Sequence, residues 1–165
     1  MEAAALSLLQ ARSPTLDEMK VVLAAIGERA RPAFEELAKM YAGRMEAYAE
    51  VEVTGYRSEE AFLEAMERQR GRTAPVVVLL DGRGRQMSSE QLAEWLGRQR
   101  DEGQQRMIFA VGPANGWSDE ARKRAGALLS LGSMTLAHEL ARVVLCEQVY
   151  RAFTILAGHP YHRGS

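Results

Sequence analysis

Hydrophobic positions along the chain follow two alternating patterns. Continuous runs of aliphatic and β-branched residues occupy residues 21–26, 75–80, 107–111 and 127–131. Runs of this kind are typical of strands that are covered on both faces, as in a parallel sheet. Val51 and Val53, followed by Gly55, predict one further short strand.

Between these runs the apolar residues recur at steps of three and four, which predicts amphipathic helices. The first helix is predicted over residues 32–48 and the second over residues 58–70. A third begins after Ser88, where Gln91 lies at the spacing of a capping box. Each of these starts carries a residue type that is favoured at helix N-termini.

Two more helices are predicted in the second half of the chain. Ser118 opens the fourth, and Thr135 is the predicted N-cap of a long fifth helix. The apolar side of the fifth helix is predicted to consist of Leu140, Val143, Val144, Val149, Phe153 and Leu156. Glu147 and Arg151 are four residues apart on it, so they are expected to form a pair.

Strands that alternate with helices predict an α/β fold with a mostly parallel sheet and helices on both faces. Asp81-Gly82 is predicted to turn the chain at the end of the third strand. Ligands of such sheets bind beyond the carboxyl ends of the strands, which makes residues 80–85, 112–117 and 131–136 the candidate ligand loops. A generic flavodoxin-like small-ligand domain is disfavoured, because neither a GxGxxG turn nor a phosphate-binding loop is found.

Composition narrows the class of protein. The 165 residues are 47% hydrophobic and 26% charged, which predicts a globular protein with residues 19–165 as one domain and residues 1–18 as an extension. A single cysteine, Cys146, excludes an internal disulfide framework and a zinc site built by cysteines, and it is expected in the core. No run approaches a membrane span, so a cytoplasmic protein without metal is expected.

The net charge of −1 excludes a global basic field, so any contact with RNA must come from a local patch. Of the 21 basic residues 18 are arginine, which suits phosphate forks and base stacking. A GC-rich genome, which favours arginine codons, would explain the same number of arginine residues. Near-zero charge fits a substrate that is recognised through its shape.

Several motifs recur in one known family. They are Leu79-Leu80-Asp81, Phe109-Ala110-Val111-Gly112, Asn115-Gly116, Ser133-Met134-Thr135 with His138, Arg142-Val143-Val144, Glu147-Gln148-Val149-Tyr150-Arg151-Ala152 and Pro160-Tyr161-His162-Arg163. Together they resemble the RlmH-type ribosomal RNA methyltransferases of the SPOUT class, over residues 19–163.

The resemblance implies a SPOUT-type Rossmann-like α/β fold with a C-terminal trefoil knot, and a homodimer. It implies an enzyme that uses S-adenosyl-L-methionine to methylate N3 of a pseudouridine in 23S rRNA of the assembled ribosome. The implied cofactor contacts are Leu80, Gly112, Leu131, Gly132, Ser133, Met134, Thr135 and Leu136. Glycine lets the backbone approach a ligand closely, and leucine and methionine suit an adenine slot.

Methylation at N3 requires the imide to lose a proton, so a base or a nearby cation is expected. The catalytic candidates that the resemblance implies are Tyr161, His162, Arg163, His138 and Arg142. A histidine such as His162 can accept a proton near neutral pH, and Arg163 can hold a phosphate or the developing negative charge. A structural hydrogen bond is an equally good hypothesis for His138, and an ion pair with a nearby glutamate is an alternative for Arg142.

The chain departs from the family pattern in one loop. Pro113 follows Gly112, where the family usually has a second glycine, and proline removes an N–H donor. The alternative hypothesis is therefore a SPOUT-fold RNA-binding module without catalysis. Trp117, in the same loop, is expected to cover the cofactor or a dimer surface, or to be exposed.

Overall fold

The computed structural model describes residues 19–71 and 73–164, so the predicted extension over residues 1–18 lies outside the described residues. The strands are β1 (Lys20–Ile26), β2 (Glu50–Tyr56), β3 (Val76–Gln86), β4 (Arg106–Val111) and β5 (Ala127–Ser130). The helices are α1 (Pro32–Met45), α2 (Glu59–Arg68), α3 (Ser89–Asp101), α4 (Asp119–Arg124) and α5 (His138–Leu156). A short 3₁₀ helix, Pro160–Gly164, follows α5.

These strands form one sheet in the order β2-β1-β4-β3-β5, and every neighbouring pair is parallel. Because parallel neighbours need crossover connections, a helix lies between successive strands along the chain. The α/β fold with a parallel sheet, predicted from the hydrophobic runs, is confirmed.

Both faces of the sheet are covered. Val21 and Leu23 of β1 pack in a core with residues of α1, α3 and α5, whereas Val22 and Ala24 pack in a second core with Phe62 of α2 and residues of α4. Successive side chains of a strand point to opposite faces, so a continuous apolar run fills both cores. This explains why the strands lack polar alternation.

The predicted helix starts at serine residues are confirmed. Ser58, Ser88 and Ser118 each accept a hydrogen bond from a backbone N–H in the first turn of α2, α3 and α4, and Gln91 completes a capping box with Ser88. Helix α1 ends at Met45, three residues before its predicted end, and Tyr48 stacks on Phe153 instead.

The predicted turn at Asp81-Gly82 is wrong, because β3 continues to Gln86. Leu80 pairs with Leu129 of β5, and after an irregularity Arg85 pairs with the same residue. A Cβ atom at Gly84 would lie 2.6 Å from the backbone of Leu128, so only glycine permits this close approach. Pairing with β5, which no local pattern shows, keeps the chain extended.

Thr135 is not the N-cap of α5, which begins at His138 with Ala137 as its N-cap and no side-chain cap. The carboxylate of Glu139 in the first turn instead accepts hydrogen bonds from the backbone N–H of Arg31, at 2.6 Å, and from its guanidinium. Residues 131–136 are left as a loop. The predicted pair of Glu147 and Arg151 is confirmed at 2.8 Å.

Helix α5 is largely buried, but Leu140 is 41% exposed, which contradicts its predicted place on the buried side. None of the helices in residues 19–71 and 73–164 has the length and hydropathy needed to cross a bilayer. The C-terminal knot stays a prediction.

Candidate active site

The three candidate ligand loops meet in one cavity of about 480 Å³, which we call the first cavity. It lies at the carboxyl ends of β4 and β5, where the loops that follow these strands face residues 80–82 within β3. All eight predicted cofactor contacts line it: Leu80, Gly112, Leu131, Gly132, Ser133, Met134, Thr135 and Leu136. Its volume is within the range of about 300–1,000 Å³ that is usual for small-molecule sites.

The loop after β5 is held by hydrogen bonds at its first residues and carries an exposed side chain further on. The hydroxyl of Ser130 donates to the carbonyl of Gly132 at 3.1 Å and accepts from its N–H at 3.2 Å. Gly132 has φ of 138°, which strongly favours glycine. Met134 is 84% exposed, and the unbranched thioether can fold over a ligand in the cavity. This loop therefore offers backbone amides and an adaptable apolar side chain.

Trp117 is not exposed: its side chain is buried, with 4% of its surface accessible, beneath Gly112. A Cβ atom at Gly112 would lie 2.7 Å from the indole ring, so the glycine makes room for tryptophan. The indole N–H donates to the carbonyl of Leu80 at 3.0 Å. Trp117 thus joins two of the loops and forms part of the cavity's wall.

An ion pair holds Asp81, the residue of β3 that follows Leu80. The carboxylate of Asp81 accepts from Nε of Arg122 at 2.7 Å and from the backbone N–H of Arg83 at 2.8 Å. Burial alone would raise the pKa of Asp81, but these two hydrogen bonds and the charge of Arg122 outweigh it and hold the pKa below its usual value. Asp81 therefore stays ionised at the edge of the first cavity.

Pro113 lines the first cavity without disrupting its loop. Its carbonyl accepts from the N–H of Gly116 at 2.8 Å and closes a turn, in which Gly116 has φ of 87°. Pro113 therefore occupies the first position of this turn, where its carbonyl is the group that the turn requires and its missing N–H is not used by the turn.

His138 is the first residue of α5, lies against Gly112 at the end of β4, and lines the first cavity. Its Nε2 is hydrogen-bonded to the carbonyl of Gly112. A carbonyl only accepts, so the neutral ring carries its proton on Nε2 and keeps a lone pair on Nδ1. Nδ1 makes no hydrogen bond with any residue in the described part of the chain, so it can accept a proton from a ligand.

Arg142, one turn after His138, is buried, with 8% of its surface accessible. Its Nη1 donates to Glu35 of α1 at 2.6 Å. Burial alone would raise the pKa of Glu35, but the hydrogen bond and charge of Arg142 outweigh it and keep the pKa below its usual value. Arg142 and His138 both line a second cavity of about 190 Å³, so His138 borders both cavities.

The remaining catalytic candidates lie elsewhere in the chain. The hydroxyl of Tyr161 donates to Glu147 at 2.9 Å, and its ring packs on Tyr150. Glu147 follows His138 by nine residues, which is about two and a half helical turns, or about 14 Å along the axis. Tyr161 therefore contacts the opposite side of α5 from the side that carries His138.

His162 has both ring nitrogens in hydrogen bonds. Nη1 of Arg151 donates to Nδ1 at 3.1 Å, and Nε2 is 2.8 Å from the carboxylate of Glu90. Arginine cannot accept, so the lone pair of the neutral ring is already used. Arg163 is exposed and forms no ion pair or hydrogen bond with the residues that the structure describes. Of the three tail candidates, Arg163 is the one with donors available to a ligand.

Cys146 lies in the core, as predicted, and burial raises the pKa of its thiol to about 11. It therefore stays a neutral thiol and does not act as a nucleophile. Within residues 19–71 and 73–164 no group of three or more His, Cys, Asp or Glu side chains is arranged to hold a metal ion.

The chain matches a family model described as "Predicted SPOUT methyltransferase" over residues 19–162. It is 51% identical to "Ribosomal RNA large subunit methyltransferase H" of Koribacter versatilis, over 88% of this chain and 99% of the relative. A protein of the same name from Trichlorobacter lovleyi is 39% identical over 87% of this chain and 99% of its own length.

Solved structures of similar shape include two with bound AdoMet. The SpoU methyltransferase AviRb from Streptomyces viridochromogenes has a TM-score of 0.49 and 13% identity, over 87% of this chain and 60% of that chain. An rRNA methyltransferase from Sinorhizobium meliloti has a TM-score of 0.48 and 15% identity, over 84% of this chain and 60% of that chain.

Proposed function

The chain belongs to the SPOUT methyltransferase family, and we propose that it methylates N3 of a pseudouridine in the 23S rRNA of the assembled ribosome, with S-adenosyl-L-methionine as methyl donor. The observation that carries this proposal is the meeting of three loops in one cavity with His138 at its border. A cofactor site and a proton acceptor are thereby adjacent, as methyl transfer to an imide requires.

The first cavity has the composition of a site for S-adenosyl-L-methionine. Leu80, Leu131 and Leu136 supply an apolar slot for adenine, and the backbone of residues 131–136 supplies donors and acceptors for its edge. Met134 is free to close over the bound molecule. When bound, S-adenosyl-L-methionine supplies an electrophilic methyl group on a sulfonium, which the N3 anion takes up as a neutral thioether leaves.

His138 is the proton acceptor in this proposal. Its Nε2–H is held by the carbonyl of Gly112, so the ring presents Nδ1 to the imide proton. The guanidinium of Arg142, one turn further along α5, stabilises the negative charge that remains on the imide. Glu35 keeps that guanidinium in place.

We propose that the C-terminal tail, residues 161–163, acts in a homodimer. Tyr161 and His162 are held on the opposite side of α5 from His138, so a tail that contributes to catalysis must reach the first cavity of a second chain. In this role Tyr161 and His162 hold the tail in shape, while Arg163 contacts the RNA backbone. Three exposed apolar side chains on α1 and α5, which pack against each other, support a dimer surface formed by these two helices: Leu37, Met40 and Leu140.

A mixing experiment tests the tail's role. His138→Ala and Arg163→Ala chains, each of low activity alone, are combined under conditions that allow subunit exchange. If the tail serves the partner, half of the dimers carry one intact site, and activity returns to about a quarter of the wild-type value. Absence of any recovery, with mixed dimers verified by mass spectrometry, would show that the tail does not act across the dimer.

Methylation of ribosomes tests the function itself. Ribosomes from a strain that lacks the modification are incubated with the chain and S-adenosyl-L-methionine in the cytoplasmic pH range, because the cytoplasm is where we place the protein. Mass spectrometry of rRNA fragments should show one added methyl group on a pseudouridine, with assembled ribosomes preferred over free 23S rRNA. No added methyl group on either substrate would contradict the proposal.

The alternative of an RNA-binding module without catalysis is not favoured. It depended on Pro113, which closes a turn at the wall of the first cavity. The relatives described above are named as methyltransferases.

A further inference from the structure

The second cavity lies directly beside the first. Its walls are the carboxyl ends of β1 and β2, residues 27–30, Glu35 and Lys39 of α1, and the first turns of α5. His138 borders both cavities. A ligand in the second cavity is therefore adjacent to the histidine that we propose as proton acceptor.

The second cavity is too small for the methyl donor. Its volume of about 190 Å³ compares with about 480 Å³ for the first cavity. Sites for drug-sized molecules have volumes of about 300–1,000 Å³, so this one suits a fragment as small as a single nucleobase.

The polar groups of the second cavity suit an imide. Nη1 of Arg142 donates to Glu35, and within the described residues its Nε and Nη2 have no acceptor. These donors belong to a buried guanidinium that lines the cavity. An imide ring presents two carbonyl oxygens as acceptors, one on each side of N3, so its charge after deprotonation is largely on atoms that guanidinium N–H groups bind well.

We propose that the second cavity receives the target base of the RNA, with the guanidinium of Arg142 donating to an imide carbonyl oxygen. The inference rests on the proposed function and adds to it the place of the substrate. Glu35 acts as a positioning residue, because its ionised carboxylate accepts from Nη1 of Arg142 and both residues line the cavity.

A larger side chain in place of Gly55 would fill part of the second cavity without straining the backbone. It pairs in register with Ala25, which shares a face of the sheet with Val21 and Leu23, and both Gly55 and Ala25 line the second cavity. A Cβ atom at Gly55 would meet only the carbonyl oxygen of Ala25, at 3.8 Å, which is an ordinary contact. Valine also suits a strand, so Gly55→Val should fold.

The test compares Gly55→Val with Gly43→Val, since a Cβ at Gly43 of α1 meets open space and Gly43 lines neither cavity. Each variant is measured by calorimetric titration with S-adenosyl-L-methionine and by steady-state methylation of unmodified ribosomes. For Gly55→Val we expect a Kd for the methyl donor within twofold of wild type and a kcat/KM lowered at least tenfold. Gly43→Val should change neither value by more than twofold.

Three results would overturn the inference. If Gly55→Val binds the methyl donor and methylates ribosomes as wild type does, the base does not enter this cavity. If Gly55→Val no longer binds the methyl donor, the second cavity is part of the methyl-donor site. An inactive wild-type chain overturns the proposed function and this inference with it. Should Gly55→Val fail to fold, Ala25→Val, which narrows the cavity from the neighbouring strand, is judged by the same criteria.

Discussion

The two ends of α5 carry similar residue types but differ in how many of their polar groups are hydrogen-bonded within the chain. At the N-terminal end, His138 borders both cavities and Arg142 borders the second, and they keep a lone pair and N–H donors, respectively, that no described residue uses. At the C-terminal end, Glu147 accepts from Tyr161 and twice from Arg151. In the proposed function the N-terminal end of α5 therefore serves the chemistry, whereas the contacts at its C-terminal end serve folding.

The tail contacts explain this difference in physical terms. The ring of Tyr161 also lies 4.8 Å from the guanidinium carbon of Arg151, so aromatic, charged and hydrogen-bonding contacts coincide there. Burial, together with the hydrogen bond to Glu147 and its charge, raises the pKa of Tyr161 to about 12. Tyr161 is therefore a hydrogen-bond donor at neutral pH and not a base.

The largest expected effect lies at the N-terminal end of α5. His138→Ala should lower the single-turnover rate of ribosome methylation by about 10²- to 10⁴-fold, the usual contribution of a general base. His138→Gln is the matched variant, since its amide can still donate to Gly112 but cannot accept a proton. It should retain the affinity for S-adenosyl-L-methionine and remain as slow as the alanine variant. A glutamine variant at wild-type rate would show that His138 is structural.

A stability effect is expected at the C-terminal end. Glu147→Ala removes the acceptor shared by Tyr161 and Arg151 and leaves a largely buried guanidinium without its main partner. The free energy of unfolding should fall by about 2–3 kcal/mol, as measured by urea denaturation. Calorimetric affinity for the methyl donor should not change. Loss of that affinity in a folded variant would erase the distinction between the two ends.

The smallest effect concerns the pH dependence of the tail. The pKa of Tyr161 is raised above its unfolded value of about 10, so its stabilising contribution is complete below pH 10 and is lost as the pH rises toward about 12. Tyr161→Phe should lower stability by about 1 kcal/mol at pH 9 and by less near pH 12. Urea denaturation at both pH values measures the difference. An equal loss at both would contradict the shifted pKa.

Much of the fold could be predicted because it depends on local signals. Apolar runs marked the strands, and Ser58, Ser88 and Ser118 marked helix starts that their own side chains cap. The errors at Asp81-Gly82 and Thr135 arose where a distant partner decides the outcome. β5 extends β3, and Arg31 bonds Glu139 across 108 positions in the sequence.

In the candidate site, too, features that depend on local sequence could be predicted, and features that depend on distant partners could not. That the candidate ligand residues line one cavity could be predicted, because residues 112–117 and 131–136 follow β4 and β5 and parallel strands bring their carboxyl ends together. Residues 80–82, by contrast, lie within β3. The roles of Glu35, Asp81 and Trp117 were missed, since their partners are 107, 41 and 37 residues away. No spacing rule reaches so far along a chain. The opposite placement of Tyr161 and His138 likewise depends on how the tail folds back on α5.

Calorimetric titration with S-adenosyl-L-methionine tests the central claim, that residues 80–82 of β3 and the loops after β4 and β5 form the methyl-donor site. Leu131→Arg puts a bulky positive charge into the first cavity, beside the position of a cationic sulfonium ligand. Gln105→Arg introduces the same side chain at an exposed position before the amino end of β4, which lines neither cavity. We expect one site per chain in the wild type and in Gln105→Arg, and an affinity at least tenfold lower in Leu131→Arg. Absence of binding to the wild type, or unchanged affinity in Leu131→Arg, would contradict the claim.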